Sequence, residues 1–543
     1  MKKKRIFTLL ISLALLAGLL TACGPSTTAP TGQPTTTSTG STSPDTPPSA
    51  GIQYPDVSAP EEGARIADHV ELVMTHGGMA SINPHLGASS GPAWTTYILI
   101  YDRLVYRVEG GTQFAPQLAK SWDTDDYQTF VFELRDDVNF HNGDHFTADD
   151  VVKNIEYSWD NPGGEAYLIW GKVASVRALG QYTVELVTNN VEVDFLFEIA
   201  NPQGGMISPR ALAENPETGS WIGTGPWIVT SHVTDVLLER NENYWGDIPP
   251  TKTLAFRDVM ESSARRMMMQ NGECHFSFGI NPEDVIFFEN DPRFTIYPSR
   301  SHMIFSVWFN MEHPITSDRN FRLAVAHALG LDEIAIVSGD RSADTATDGA
   351  IWGRGTQFRN NNLPLRERDI GLAKEYLAAS SYNGEEIALT AFIMDTIRGS
   401  EVIQQQLAEI GINIRINVVD MPGFVAMSQP HNNQLEMAFA LNNPSTYASS
   451  MRQFFYPGSG RNGTMYNNPR VTELVDQAAA EFDSNVRQAL YYEIQELMYE
   501  DVVQIPVFWL VHEYVADSRL GGFYITDETS MHNFRNVFLL LDN

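Results

Sequence analysis

Residues 129–160, TFVFELRDDVNFHNGDHFTADDVVKNIEYSWD, constrain the fold more than any other stretch, because three structural signals follow one another within them. Phe130, Phe132 and Leu134 alternate with Val131, Glu133 and Arg135, the period of two of a strand with one buried face. Asp136-Asp137 and Asn142-Gly143 read as turns around the short run from Val138 to Phe140, since Asn and Gly accept the backbone angles that tight turns demand. A helix then begins. Thr147 is placed to cap it, Asp149 and Asp150 put negative charge at its positive end, and Val151, Val152, Ile155 and Trp159 line one face. The stretch predicts a hairpin feeding a helix in a packed core.

The chain opens differently. Lys2, Lys3, Lys4 and Arg5 precede an apolar run from Ile6 to Leu20 that is short for a bilayer span, so residues 1–22 read as a signal peptide. Leu20-Thr21-Ala22-Cys23 then resembles a bacterial lipobox, which implies cleavage before Cys23 and acylation on it. Two or more acyl chains make a stable anchor, each buried methylene adding about 0.8 kcal/mol. From Gly24 to about Gly63 the composition narrows to Thr, Ser, Pro and Gly, which cannot build a core. Such a tether of roughly 40 residues has a reach on the order of 35 Å. The rest of the chain is too long for one compact core, and we expect two or three lobes.

Net charge narrows the partners. The formal charge is −31, and loss of the four leader cations would make it −35, because residues 1–22 hold no acid. Nucleic-acid binding depends on Lys and Arg neutralising phosphates, so that class is disfavoured. Cys274 would have no partner once Cys23 carries lipid, which excludes a disulfide within the mature chain.

Several motifs then recur in order. The wording F-x-L-R-x-x-V-x-F-H-x-G-x-x-x-T-A-D-D-V over residues 132–151 resembles the signature segment of the family 5 extracellular solute-binding proteins, the oligopeptide, dipeptide and nickel receptors of ABC importers. The strand-like run His69 to Thr75 is followed by Asn83-Pro84-His85, and Tyr97 to Tyr106 reads as a helix or helix–strand junction. Pro116-Gln117-Leu118-Ala119-Lys120-Ser121-Trp122 leads into the opening stretch. Gly223-Thr224-Gly225-Pro226-Trp227 and Arg240-Asn241-Glu242-Asn243-Tyr244-Trp245-Gly246 fit the family in the same order. Ala264 to Gly272 reads as a helix with Met267, Met268 and Met269 packing. Ser306 to Asn310 reads as a strand, followed by a helix bearing Phe321, Val325, Ala328 and Leu329 that Gly330 stops. Val402, Ile403, Leu407 and Ile410 mark a helix closed by Gly411, and Ile412, Ile414, Ile416 and Val418 alternate as a strand. Two helices follow Asn468-Pro469 and Ser484, and Ile505 to Leu510 is an apolar strand.

The resemblance implies an α/β, two-lobed periplasmic-binding-protein-like clamp with hinge strands between the lobes. Residues 66–304 and 507–543 would form the first lobe, with 106–222 as an accessory subdomain, and 305–506 the second. It implies no cofactor and no metal, and a monomer on the outer face of the cytoplasmic membrane, working with an ABC permease and its ATPase subunits. The solute would be an oligopeptide or peptide-like molecule, and an oligosaccharide is the alternative. Trp94, Asn310, Trp352, Arg354, Asn442, Asn443, Tyr447 and Trp509 fall on segments that approach the cleft in this family. Peptide-binding members commonly carry an Asp four residues ahead of the loop proline to pair the α-ammonium; here the loop proline is Pro444 and the position holds Ala440.

Two other chemistries are weighed. Gly87-Ala88-Ser89-Ser90-Gly91 matches the nucleophile-elbow pattern of a serine hydrolase, which needs a strand ending at Ser89. His141 and His145 have helical metal-ligand spacing but straddle an Asn-Gly turn, which favours a solvated or packed pair.

Overall fold

The computed structural model describes residues 59–74, 82–87, 91–108, 113–233, 235–339, 342–442, 448–525 and 532–542. The opening stretch folds as its pattern predicts. Strand Thr129–Leu134 lies inside a four-stranded antiparallel sheet, between Ala119–Asp123 and Thr183–Thr188, with Val173–Ala178 at the other edge. Phe130, Phe132 and Leu134 are buried and the residues between them are not. Gly143 takes the turn with φ +87°. At the start of helix Ala148–Asp160, the Asp150 carboxylate accepts from both the backbone N–H and the hydroxyl of Thr147, each at 2.8 Å. Val151 and Ile155 then pack with Trp170 and Phe195, flanked by the part-buried Val152 and Trp159, in a core of the sheet's own.

A second, eleven-stranded sheet organises the rest. On one side the strands His69–Met74, Thr253–Asp258 and Phe276–Ser277 run parallel, and on the other Glu386–Ala391, Asn413–Val418 and Met437–Asn442 do so. Two long antiparallel strands, Phe294–Phe309 and Gln504–Asp517, belong to both sides. Residues 294–300 pair with 511–517, and residues 304–308 with 504–509, with a register shift between Arg300 and Ile304. A bulge releases ladder hydrogen bonds and bends the strand that carries it. The bend falls where one core gives way to the next: Phe276, Tyr514 and Phe534 pack with Trp227 and Tyr97, whereas Phe305, Phe439 and Phe508 pack with Phe321 and Ile403. The molecule is a two-lobed α/β clamp, and these two strands are its hinge.

The sequence reading located only the apolar second-lobe part of each hinge strand, Ser306 to Asn310 and Ile505 to Leu510. In the first hinge strand, residues 294–300 are partly exposed and polar at several positions, so they lack the apolar signature. The run Tyr97 to Tyr106 resolves into helix Gly91–Ile100 followed by strand Val105–Arg107. Helix Ser262–Asn271 ends at Gly272 with φ +74°; Met269 is buried and Met268 packs beside it, but Met267 is exposed, a correction to the packing expected of all three. Helix Met394–Ala408, Gly411 with φ +92° and strand Asn413–Val418 follow the pattern closely.

Candidate functional site

The hinge bulge gathers a polar cluster. His302 sits in it, buried, and its Nδ1 meets the backbone carbonyl of Arg354. That contact is possible because Gly353 and Gly355 flank Arg354. A Cβ on Gly353 would lie 2.2 Å from the His302 carbonyl oxygen, and one on Gly355, where φ is +75°, 2.5 Å from His302 Cε1. The loop therefore presses onto the bulge and turns the Arg354 guanidinium over the ring of Trp509, 4.0 Å from its centroid. Arg359 approaches the same ring at 5.4 Å. Such stacking stabilises a guanidinium and fixes its plane.

Charge is dense at this spot. Arg354 pairs with Asp344, and Arg300 reaches the same carboxylate at 3.9 Å. Arg359 pairs with Asp348 at 2.7 Å. Asp344 lies opposite Trp509 in the sheet, Trp509 opposite Ile304, and Ile304 opposite Asn442, so four strands align these residues. Burial, and then the charge of Arg107, lower the His302 pKa to about 4, which keeps the imidazole neutral. With Nδ1 donating to a carbonyl, Nε2 is left as an acceptor, and it is buried without a hydrogen-bond partner among the described residues. Trp509 Nε1 and Asn442 Oδ1 are unpartnered in the same sense, one a donor and the other an acceptor.

The residues expected at the cleft separate into groups. Arg354 and Trp509 are in direct contact, and Asn442 is in register with them while its amide donates to Gln504 Oε1 at 2.7 Å. Trp352 is enclosed by the apolar cluster around Tyr491, Ile494 and Met498, with its ring 5.6 Å from that of Tyr491. Asn310 ends the first hinge strand, and its side chain donates to the Leu435 carbonyl at 2.7 Å and accepts from the Glu312 N–H at 2.9 Å. Trp94 packs on the first-lobe core from helix Gly91–Ile100, its Nε1 also unpartnered among the described residues. Asn443, Tyr447, Ser89 and Cys23 lie outside the described residues. Sequence reasoning missed His302, Arg300, Asp344 and Arg359. The usable signal was Ser299-Arg300-Ser301-His302, a polar run interrupting a strand.

Ala440 faces an apolar cluster of Trp308, Phe392 and Phe424, the last two stacked at 4.2 Å. An ionised aspartate there would be stranded among apolar groups. The first polar position at the carboxyl end of that strand is Asn442. The two other chemistries have no matching geometry among the described residues. Strand His69–Met74 ends well before the turn at residues 82–87, so no described strand leads directly to Ser89. His141 bonds the carbonyl of Gly225 and the N–H of Gly223, while His145 bonds Asn139 and Tyr182. No cluster of three or more His, Cys, Asp or Glu among the described residues is arranged to hold a metal ion.

The geometry is that of a clamp hinged on two strands, with Arg354 and Arg359 paired to Asp344 and Asp348 and placed over the Trp509 ring at the bend. Comparison with known proteins agrees. Residues 113–466 match the model of bacterial extracellular solute-binding proteins, family 5 middle. The nickel-binding periplasmic protein of Escherichia coli K12 is 25% identical over 478 residues, covering 81% of this chain and 89% of its own. The dipeptide-binding protein of the same organism is 24% identical over 511 residues, covering 85% and 93%. Among solved structures, the periplasmic binding protein DppA of Helicobacter pylori in complex with the peptide STSA aligns with TM-score 0.75 at 23% identity, covering 88% of this chain and 99% of its own. The substrate-binding protein CtaP of Listeria monocytogenes aligns with TM-score 0.77 at 22% identity, covering 88% and 100%. The chain belongs to the family 5 bacterial extracellular solute-binding proteins, which serve ABC importers outside the cytoplasm.

Proposed function

We propose that this protein captures a peptide or peptide-like acid and delivers it to an ABC permease, with no bond made or broken. The observation that carries this reading is the Arg354 guanidinium held over the Trp509 ring at the hinge, where it pairs with Asp344, in a chain whose net charge is −31. A guanidinium held flat on Trp509 is preorganised to take a solute carboxylate, in place of or beside Asp344. Trp509 Nε1, His302 Nε2 and Asn442 Oδ1 supply the donor and acceptors that an amide backbone needs. The apolar surroundings of Ala440 argue against an ammonium site at that position, so the amino end of the solute would be held elsewhere or be absent. Relatives named for peptides, including the dipeptide-binding protein of Escherichia coli, support the solute class. No relative reported above is named for a sugar or a hydrolytic activity.

Closure around a solute that touches both lobes stabilises the closed state, which is the form an importer would recognise. The lobe boundaries proposed are those of the sequence reading, with lipid on Cys23 holding the body at the membrane; a Cys23→Ala chain should lose palmitate labelling and appear in the medium or soluble fraction. Titration of the protein with peptide and oligosaccharide pools, read by thermal shift, tests the solute. Peptides should raise the melting temperature and Arg354→Gln should weaken that response. If only sugars raise it, the peptide reading fails.

A further inference from the structure

The accessory core and the helix that closes the second lobe meet far in sequence from the hinge, at a seam made of side chains alone. Arg487, on helix Ser484–Glu500, donates to Asp194 at 2.7 Å, and both side chains are almost fully buried, 7% and 4% exposed. Beside them Phe482 stacks on Tyr127 with ring centroids 5.0 Å apart, and Arg461 lies 3.9 Å from Glu165. Each contact joins residues more than 290 positions apart, and in each the acid or tyrosine belongs to the accessory region. The apolar clusters on the two sides share no residue.

The acid side of the seam is short of cations. Glu192, Asp194 and Glu198 lie together, and Lys172 serves two of them, 2.6 Å from Glu198 and 3.4 Å from Glu192. Asp194 Oδ2 and Glu198 Oε2 remain buried without hydrogen-bond partners among the described residues. Burial drives the Glu198 pKa up to about 7, against the pull of Lys172 and with help from Glu192 and Asp194. Arg487 thus brings in from the other lobe the positive charge that this cluster lacks. On its own side it lies 5.5 Å from the ring centroid of Phe358 and beside Tyr491.

We infer that Arg487 and Asp194, with the Tyr127–Phe482 stack, form a latch that sets how much of the solute-free protein is closed. The chemistry suits a reversible latch. An ion pair regains hydration when a seam opens, so it holds weakly compared with apolar packing of the same size, yet losing one partner leaves a buried charge alone in the closed form. Apparent affinity for a solute scales with the fraction already in the competent state. The latch therefore tunes affinity without touching the solute. The inference rests on the clamp and not on the identity of what it carries.

The test measures distance between spin labels at Leu179→Cys, on the accessory sheet, and Ile336→Cys, on the second lobe, both exposed, in the chain with Cys23→Ala. Without solute, the latched protein should show a short-distance population. Arg487→Ala should move most of it to longer distance, and Phe482→Ala, at a half-exposed site that tolerates truncation, should move a smaller share the same way. The apolar pair Asp194→Leu with Arg487→Met should keep the short distance. For any peptide that binds, Arg487→Ala should release it at least tenfold faster with the association rate little changed. Unchanged distance distributions in both single variants would overturn the latch even if a peptide binds, whereas failure of every peptide to bind would leave the distance result standing and count only against the solute reading.

Discussion

The hinge and the seam join the same two bodies by opposite means. At the hinge, two strands pass through both lobes and carry a shared ladder, with register shifts between Arg300 and Ile304 and between Phe305 and Ser306. At the seam no strand crosses among the described residues, and the contacts include an ion pair, an aromatic stack and a longer charge pair. Backbone hydrogen bonds within a ladder persist in any lobe orientation, while side-chain contacts between separate cores exist only when the lobes touch. Cohesion is therefore assigned to one region and conformational preference to the other.

Acid titration should separate them most strongly. Burial lowers the pKa of His302 and His512 to about 4 and of His532 to about 3, and all three belong to the hinge side. His85 and His141 are held at about 4 in the first lobe and its accessory region. An unfolded histidine takes its proton near 6.5, so each buried imidazole contributes stability above that pH which is lost as pH falls toward its folded pKa, at most roughly 3 to 5 kcal/mol apiece. Glu198 has the opposite sign. Its folded pKa of about 7 lies above the ordinary 4.5, so its burial is least costly below 4.5 and most costly above 7. Chemical denaturation between pH 8 and pH 4 should show wild-type stability falling in acid, while the wild type gains relative to Glu198→Gln over the same descent. A flat profile would show that the buried histidines do not govern the fold.

A smaller effect should follow from crowding the hinge. Gly353→Ala places a Cβ against the His302 carbonyl and should lower the unfolding free energy by about 2–3 kcal/mol in urea, because backbone and not a flexible side chain must move. Arg354→Gln should leave stability within about 1 kcal/mol while weakening peptide binding roughly tenfold by calorimetry, since it removes a half-buried charge-assisted contact. Arg487→Ala should have the least effect on global unfolding, under about 1 kcal/mol, because the open clamp rehydrates Asp194. A loss as large as that of Gly353→Ala would mean that the seam is a permanent core and not a latch.

How much of this was readable without coordinates depends on the range of the interaction. The strand Thr129–Leu134, the helix that Thr147 and Asp150 begin and the turn at Gly143 were readable because each is encoded by neighbours within a few residues. The ordered motifs carried the family and with it the clamp. Of the candidate site, Arg354 and Trp509 were named from the sequence as lying on segments that approach the cleft; the structure puts them in contact, and the reason they meet was not visible. It lies in His302, which local pattern marks only as a polar interruption, and in two glycines whose missing Cβ atoms make room for it. Trp352 and Asn310 carry the same residue types as a binding surface but are committed to a core and to a turn, a distinction that burial alone makes.

The sequence by itself determined the local elements, their order, the family and the acidic character of the chain, because alternation, capping and turn chemistry act over short stretches. Only the tertiary structure decided that residues 294–309 and 504–517 would pair across both lobes, that a histidine, three arginines and a tryptophan would converge at their bend, and that Arg487 would find Asp194. Those contacts join positions separated by up to hundreds of residues, and no local rule encodes a partner that far away.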